Sequence, residues 1–229
     1  MSEIKIHVDY IINQYEFPLF VMPWEQDEEV LHSHDFYELV IVTHGRGIHI
    51  LKDDQYNISK GDTFVIPPGI AHKYRNTRNL EIINVLYVPE MLDLPIEEFK
   101  HISGYKAFFE IAPKFMEIYK YKNRLSMSHM QLDRVLLLVH EIAEEIKLKR
   151  PKFELAVKAA FTLLLYHISR ICECNSENVS HSLLKLNETV KYINDNFHRD
   201  LTVDDIAAEV NMSRSSLNRL FAKNFKTSI

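Results

Sequence analysis

The sequence predicts a mixed α+β protein: a β-rich N-terminal part, then a helical hairpin, then a short all-α module. Three observations carry that expectation. Apolar runs at 38–43, 48–51, 63–66 and 81–88 alternate with turn residues at 45–47, 52–54, 60–62 and 67–69, a rhythm that suits a sandwich or barrel of short strands. Leu132, Val135, Leu136, Val139, Ile142, Ala143 and Ile146 then recur at three- and four-residue spacing, and a second apolar helix spans 153–171. From residue 183 onward the pattern changes again, to short helices with polar caps. The boundaries match these changes: a barrel at 1–92, a helical region at 93–174, a polar linker at 175–182 and a terminal module at 183–229.

Composition bounds what the chain does. Its 229 residues carry 27 Lys and Arg against 32 Asp and Glu, a net charge of -5, which argues against indiscriminate coating of nucleic acid. The 153–171 run is interrupted by Glu154, Lys158, His167 and Arg170, as in a buried helix rather than a membrane span. No N-terminal stretch reads as a signal peptide, so a soluble cytoplasmic protein is expected. Cys172 and Cys174 sit two residues apart near a helix end, where side chains diverge, and reduced thiols are expected.

The first zone holds a constellation of polar side chains: His32-x-His34-x3-Glu38-x6-Gly45, and then Gly61-x5-Pro67-x-Gly69-x2-His72-x3-Asn76. Alternate residues of a strand share a face, so His32, His34 and Glu38 point inward together unless a bulge intervenes, with His72 joining from a neighbouring strand. Three imidazoles and a carboxylate suit zinc, nickel, iron or manganese. Inward imidazoles also hydrogen-bond a polyol directly, or simply satisfy one another in the interior. Sequence leaves these readings open. Phe36, Val40 and Val42 share the inward parity and read as core. Trp24 and Tyr37 stack on a sugar or fill the barrel mouth, Trp24 being the better ligand candidate.

The terminal module reads as a helix-turn-helix. Leu186, Val190, Ile193 and Phe197 form one stripe, Thr202 to Asp205 has the form of a capping box, and Ser213 caps a second helix after a turn at Asn211, a residue that tolerates a left-handed backbone. Ile206, Ala207, Val210, Leu217 and Leu220 pack the two helices together. That leaves Arg214, Ser215, Asn218 and Arg219 outward. From residue 183 the module has seven Lys or Arg and six Asp or Glu, but every acid precedes the last helix. Arg219 and Asn218 are base-reading candidates, Arg219 for guanine and Asn218 for adenine. Arg214, Lys223 and Lys226 are phosphate candidates. The charged residues around the 132–146 stripe resemble an exposed helix with a seam for a twin, so a homodimer through helices in 128–171 is expected, the other reading being a lid on the barrel.

The nine matched positions of the His/Glu pattern resemble the paired signature of the cupin family, over roughly residues 25–90, which implies a jelly-roll barrel. Residues 189–207 and 212–221 resemble the DNA-binding domain of AraC-type transcription regulators, a family that often carries a cupin-like sensor ahead of that domain. Residues 34–49 and 79–87 are similar to the rhamnose-responsive members, so the resemblance implies a small sugar or polyol effector, promoter DNA as partner, and no required cofactor. In the family a long helix joins two helix-turn-helix units; this chain stops at Ile229, where that helix should begin, which reads as a truncated chain or gene fragment. Two alternatives remain: a metal-dependent cupin enzyme, an isomerase or dioxygenase using His32, His34, Glu38 and His72, and a sensor that acts only by pairing with intact relatives.

Overall fold

The structure, a computed structural model, describes residues 4–9, 16–27, 30–51, 54–119, 124–175, 177–225 and 228–229. Its N-terminal part is built from strands β1 (Ile4–Ile6), β2 (Leu19–Glu25), β3 (His32–His34), β4 (Tyr37–Leu51), β5 (Asp54–Ser59), β6 (Asp62–Ile66) and β7 (His72–Tyr87). The two long strands β4 and β7 pair antiparallel along almost their whole length. β6 joins the first half of β4 and β5 its second half, while β2 and β3 join opposite ends of β7. β1, unlike the other paired strands described, runs parallel to its neighbour, β3.

The separate runs 38–43 and 48–51 turn out to be one strand, and residues 45–47 do not reverse the chain. Register shifts between Val42 and Ile48 absorb them instead. Gly45 has φ +70, and a Cβ there would sit 1.9 Å from the Asn79 carbonyl oxygen, while Asn76 and Asn79 on β7 adopt φ 52 and 47. This is a bulged crossing of two strands, with the residue types that tolerate it. The 81–88 run likewise proves to be only the end of a strand that begins at His72. Turns at 60–61 and 68–69 stand as expected, and residues 52 and 53 lie outside the described residues.

The irregular crossing lets the sheet curl into a barrel. Glu38 and Leu51 lie at opposite ends of β4, roughly 40 Å apart if the strand were straight, yet Leu51 pairs with His72, whose Nε2 is 3.5 Å from a Glu38 oxygen. Both faces of the strand are consequently buried. Val40, Val42, Leu51, Phe64, Tyr74 and Ile82 fill the interior, whereas Leu39, Ile41, Val65 and Val85 face the helices. A strand buried on both sides reads as a continuous apolar run, as 38–43 does.

After β7 come three short helices, α1 (Pro89–Leu92), α2 (Ile96–Phe99) and α3 (Ser103–Tyr105), then a π-helical stretch at Lys106–Ile111 that runs into α4 (Ala112–Tyr119). Gly104 lets α3 approach closely: a Cβ there would meet the Ser169 carbonyl at 1.9 Å. Strand β8 (Leu125–Ser126) pairs with β6, and next in the chain is the hairpin of α5 (His129–Leu148) and α6 (Phe153–Asn175). Ser128 and Gln131 close a capping box at the start of α5. The stripe Leu132, Val135, Val139, Ile142 and Ile146 is buried in the main core, so it is not a free seam: it packs against α6 and the sheet inside the chain. α6 is long and apolar enough to cross a membrane by length and composition alone. Its Val157, Phe161, Leu164, Leu165 and Ile168 are nevertheless buried in that same core.

Segment 175–182 differs from the irregular linker its composition suggests, since α7 (Glu177–Asn196) already includes Glu177. Serine and asparagine cost only a few tenths of a kcal/mol per helical position, too little to stop a helix anchored downstream by buried Leu183 and Leu186. Phe197 also departs from its stripe. It lies beyond the end of α7 and is 77% exposed. The chain finishes with α8 (Val203–Glu209) and α9 (Arg214–Phe225). Cys172 is buried and Cys174 exposed, and neither forms a disulfide among the described residues.

Candidate functional site

The barrel gathers His32, His34, Glu38 and His72, all buried. Strand parity predicts this convergence, but by a route the chain does not take. His32 and His34 belong to β3 and Glu38 to β4, with a bend at 35–36 between them, and the curl of β4 and β7 brings in His72, which pairs directly with His32. Nε2 of His34 lies 2.9 Å from Glu38 Oε2 and Nε2 of His72 lies 3.5 Å from the same oxygen. Ligand atoms of His32, Glu38 and His72 all fall within 4.8 Å of one another.

The outer nitrogens explain how the rings are held. Nδ1 of His34 meets the Phe36 carbonyl at 2.7 Å, Nδ1 of His72 the Ile70 carbonyl at 3.1 Å and Nδ1 of His32 the Val30 carbonyl at 3.2 Å. A carbonyl only accepts, so each of these Nδ1 atoms carries a hydrogen, and Nε2 of His34 and of His72 are left facing the Glu38 carboxylate. Nε2 of His34 and of His72 are buried without an aligned hydrogen bond. Backbone-tethered imidazoles whose ligand atoms converge beside a carboxylate fit the requirements of a divalent metal once their inward nitrogens are deprotonated.

The electrostatics agree. Burial raises the Glu38 carboxyl, but contacts with His34 and His72 outweigh it and hold the group well below the usual carboxylate range. Burial lowers His72 despite the attraction of Glu38, so the ring stays neutral more readily than a free imidazole. One further imidazole, His49, is not singled out by the sequence pattern. Fully buried, its ring lies 5.7 Å from that of His72, its Nδ1 is 2.8 Å from the Tyr56 hydroxyl, and its Nε2 is unpartnered. Burial first, then the charge of His72, pushes it well below its ordinary value. The bulged crossing switches the inward parity of β4 from even to odd positions, which hides His49 from simple alternation. The Gly45 and Gly47 pair is the signal that could have exposed it.

Phe36, Val40 and Val42 are core residues, Phe36 stacking on His34 at 4.4 Å. Trp24 does not join the histidines. It is 51% exposed and lines a cleft of about 950 Å³ between the sheet and α5, with Val21, Ile83, Asp133, Leu137 and His140. Tyr37 stacks on Tyr87 at 5.6 Å and lines a different cavity of about 630 Å³ between barrel and helices.

In the terminal module, Thr202 and Asp205 form their capping box, and Ser213 Oγ accepts from the Ser216 amide at 3.2 Å. Asn211 adopts φ 53 in the turn. Ile206, Ala207, Val210 and Leu217 form a small core of their own, whereas Leu220 is buried in the main one. Arg214, Ser215, Asn218, Arg219 and Lys223 are exposed along α9. Arg214 also pairs with Asp204 at 3.0 Å, and Lys226 lies outside the described residues.

A sensor-like barrel joined to a helix-turn-helix defines the general class of protein. Residues 15–165 match the AraC-like ligand binding domain and residues 193–229 match the bacterial regulatory helix-turn-helix proteins of the AraC family, and the chain belongs to this family. It is a family of regulators, and the reading as a metal-dependent enzyme is not favoured. The HTH-type transcriptional activator RhaR of Escherichia coli (strain K12) is 40% identical over 84 residues, which is 37% of this chain and 30% of RhaR. The RhaR of Shigella flexneri serotype 5b matches to the same extent. The match thus spans less than a third of the length of these relatives. Among solved structures, ToxT K231A from Vibrio cholerae is 10% identical over 90% of this chain and 75% of its own, with a TM-score of 0.40. A cupin-2 protein from Shewanella frigidimarina is 27% identical over 31% of this chain and 69% of its own, with a TM-score of 0.27.

Proposed function

We propose that the chain is the sensor and first DNA-reading unit of a cytoplasmic, ligand-responsive transcription regulator, acting in carbohydrate utilisation. One observation carries this: α9 buries Leu217 and Leu220 while turning Arg214, Ser215, Asn218 and Arg219 to solvent, as a helix entering a major groove must. Arg219 and Asn218 read base edges, and Arg214 and Lys223 contact phosphates. The Arg214 to Asp204 pair is largely exposed on both sides, so exchanging it for a phosphate costs little. The functional division uses the boundaries 1–92, 93–174 and 183–229, with segment 175–182 as the connection, helical from Glu177 onward.

The effector is a small sugar or polyol, the class implied by the likeness to RhaR, bound at His32, His34, Glu38 and His72. A divalent ion such as zinc, nickel, iron or manganese fits the same residues, held by the inward Nε2 atoms and the Glu38 carboxylate. It would supply a fixed positive centre for hydroxyl oxygens. Trp24, in its separate cleft, contacts ligand only if that cleft is occupied as well. Ligand acts by its differential affinity for two arrangements of barrel and α9. The functional unit is a homodimer through α5 and α6, and its surface is the outward face with Leu137, Leu155, Leu163 and Tyr166 rather than the buried stripe.

The test is a mobility-shift titration on promoter fragments with and without sugar, using the gene's full-length product and, separately, the 229-residue chain. Sequence-selective retardation modulated by one sugar is expected; retardation of the full-length product that is equal on all duplexes and indifferent to every sugar removes the reading.

A further inference from the structure

Segment 103–115 has two neighbours. One side of it lines the 630 Å³ cavity through Tyr105, Phe109, Glu110 and Lys114. Just beyond, the Phe115 ring lies 6.0 Å from Phe225, the last residue of α9, and Phe225 meets Phe221 at 4.5 Å. Leu220 is buried in the same cluster as Phe108 and Phe115, and α7 packs on the π-helical stretch. The wall of the cavity is therefore also the grip on the DNA-reading helix.

The lining has a recognisable chemistry. Tyr37 stacks on Tyr87 at 26° and Tyr105 on Phe109 at 28°, giving flat aromatic faces of the kind that pack on the C–H face of a pyranose. Burial pushes Tyr87 well above its ordinary value and Tyr105 up to about 12, so both remain neutral donors. Lys114, Glu90 and Glu110 stand around the rim with Lys100, whose ammonium is paired with Glu97. Charged groups of both signs offer donors and acceptors alike to hydroxyl groups.

We propose that this cavity is a second ligand site, distinct from the histidine cluster, which takes a neutral, hydroxyl-rich ring compound of mono- or disaccharide size and relays its occupancy to α9 through Phe115 and Phe225. The proposal rests on the reading of the chain as a ligand-responsive DNA-binding protein. None of His32, His34, Glu38 or His72 lines the cavity. A π-helical turn carries one residue more than its α-helical equivalent, so it can re-register under a ligand and rotate the helix C-terminal to it. Phe115 lies on that helix, α4.

Hydrogen exchange with mass spectrometry and titration calorimetry on the 229-residue chain test this, with L-rhamnose and maltose as probes. A binding sugar is expected to slow exchange across 103–115 and to alter it across 214–225. Tyr105→Phe, which keeps the ring, weakens binding about tenfold by deleting one hydroxyl contact, and Lys114→Ala, at an exposed position, weakens it a few-fold. Phe225→Leu keeps the protection at 103–115 and loses the response at 214–225. Protection confined to 32–38 and 72 overturns the second site but leaves the sugar-responsive reading standing. Failure of either sugar to bind anywhere overturns the proposal and the carbohydrate reading together, while DNA binding is judged separately by mobility shift.

Discussion

At the scale of the residue, the decisive groups are those whose surroundings fix one chemical state. Arg219 stands exposed on α9 with no acid after Glu209 in the sequence, so its charge faces solvent. In the full-length protein Arg219→Ala is expected to cost about 1–3 kcal/mol on the specific operator and much less on random duplex, whereas Lys223→Ala weakens both alike and lowers the salt slope by about 1. Fluorescence anisotropy over a salt series distinguishes the two. In the barrel, buried His49 and His72 resist protonation while the unfolded chain takes up protons below about pH 6.5, the ordinary histidine value. Stability from these groups is therefore full above that pH and falls below it. Glu38, held low in the folded state, adds a second loss below the ordinary carboxylate value of 4.5. Melting temperature against pH, with a chelator present, should decline from pH 7 towards 4. His49→Phe should flatten the upper limb; an unchanged limb refutes the assignment to His49.

At the scale of the element, β4 depends on its bulged crossing with β7. Gly45→Ala forces a side chain into the Asn79 carbonyl, and its positive φ penalises any L-residue, so a loss of more than about 1–3 kcal/mol is expected. Urea unfolding measures it directly. A loss under about 0.5 kcal/mol, typical of a neutral surface change, would show that the crossing relaxes freely. The hairpin α5 and α6 illustrates the same dependence from the other side: its inward stripe is committed to the core, leaving Leu137 at 72% exposure and Leu155, Leu163 and Tyr166 on the outer face. If that face pairs two copies, Leu163→Lys should convert dimer to monomer in sedimentation equilibrium without changing the melting profile of the monomer. A persistent dimer moves the contact elsewhere.

At the scale of the whole molecule, barrel and α9 share one core. Leu183, Leu186 and Leu220 are buried in the same cluster as Leu39, Ile41 and Val85, so a ligand that stabilises the sensor has a packed path to α9. Loading with a divalent ion offers a direct measurement. Adding zinc or nickel to chelator-treated protein should raise the melting temperature in a concentration-dependent way, as binding to the folded state alone requires. His72→Ala should abolish the rise. An equal rise in that variant places the ion outside the cluster.

By itself the sequence determined the features that depend on local spacing. The positions of His32, His34, Glu38 and His72, the caps at Thr202 and Ser213, the left-handed Asn211 and the outward face of α9 all come from residue type at fixed intervals, because caps, turns and helix faces are set within a few residues. Tertiary structure decided the rest. Only the curl of β4 and β7 brings His49 beside His72 and places Trp24 away from the cluster, and only packing against α6 and the sheet turns the 132–146 stripe inward. Only packing reveals that one segment touches both a tyrosine-lined cavity and Phe225. Such contacts join residues far apart in the chain, and loop closure and burial, rather than local propensity, select them.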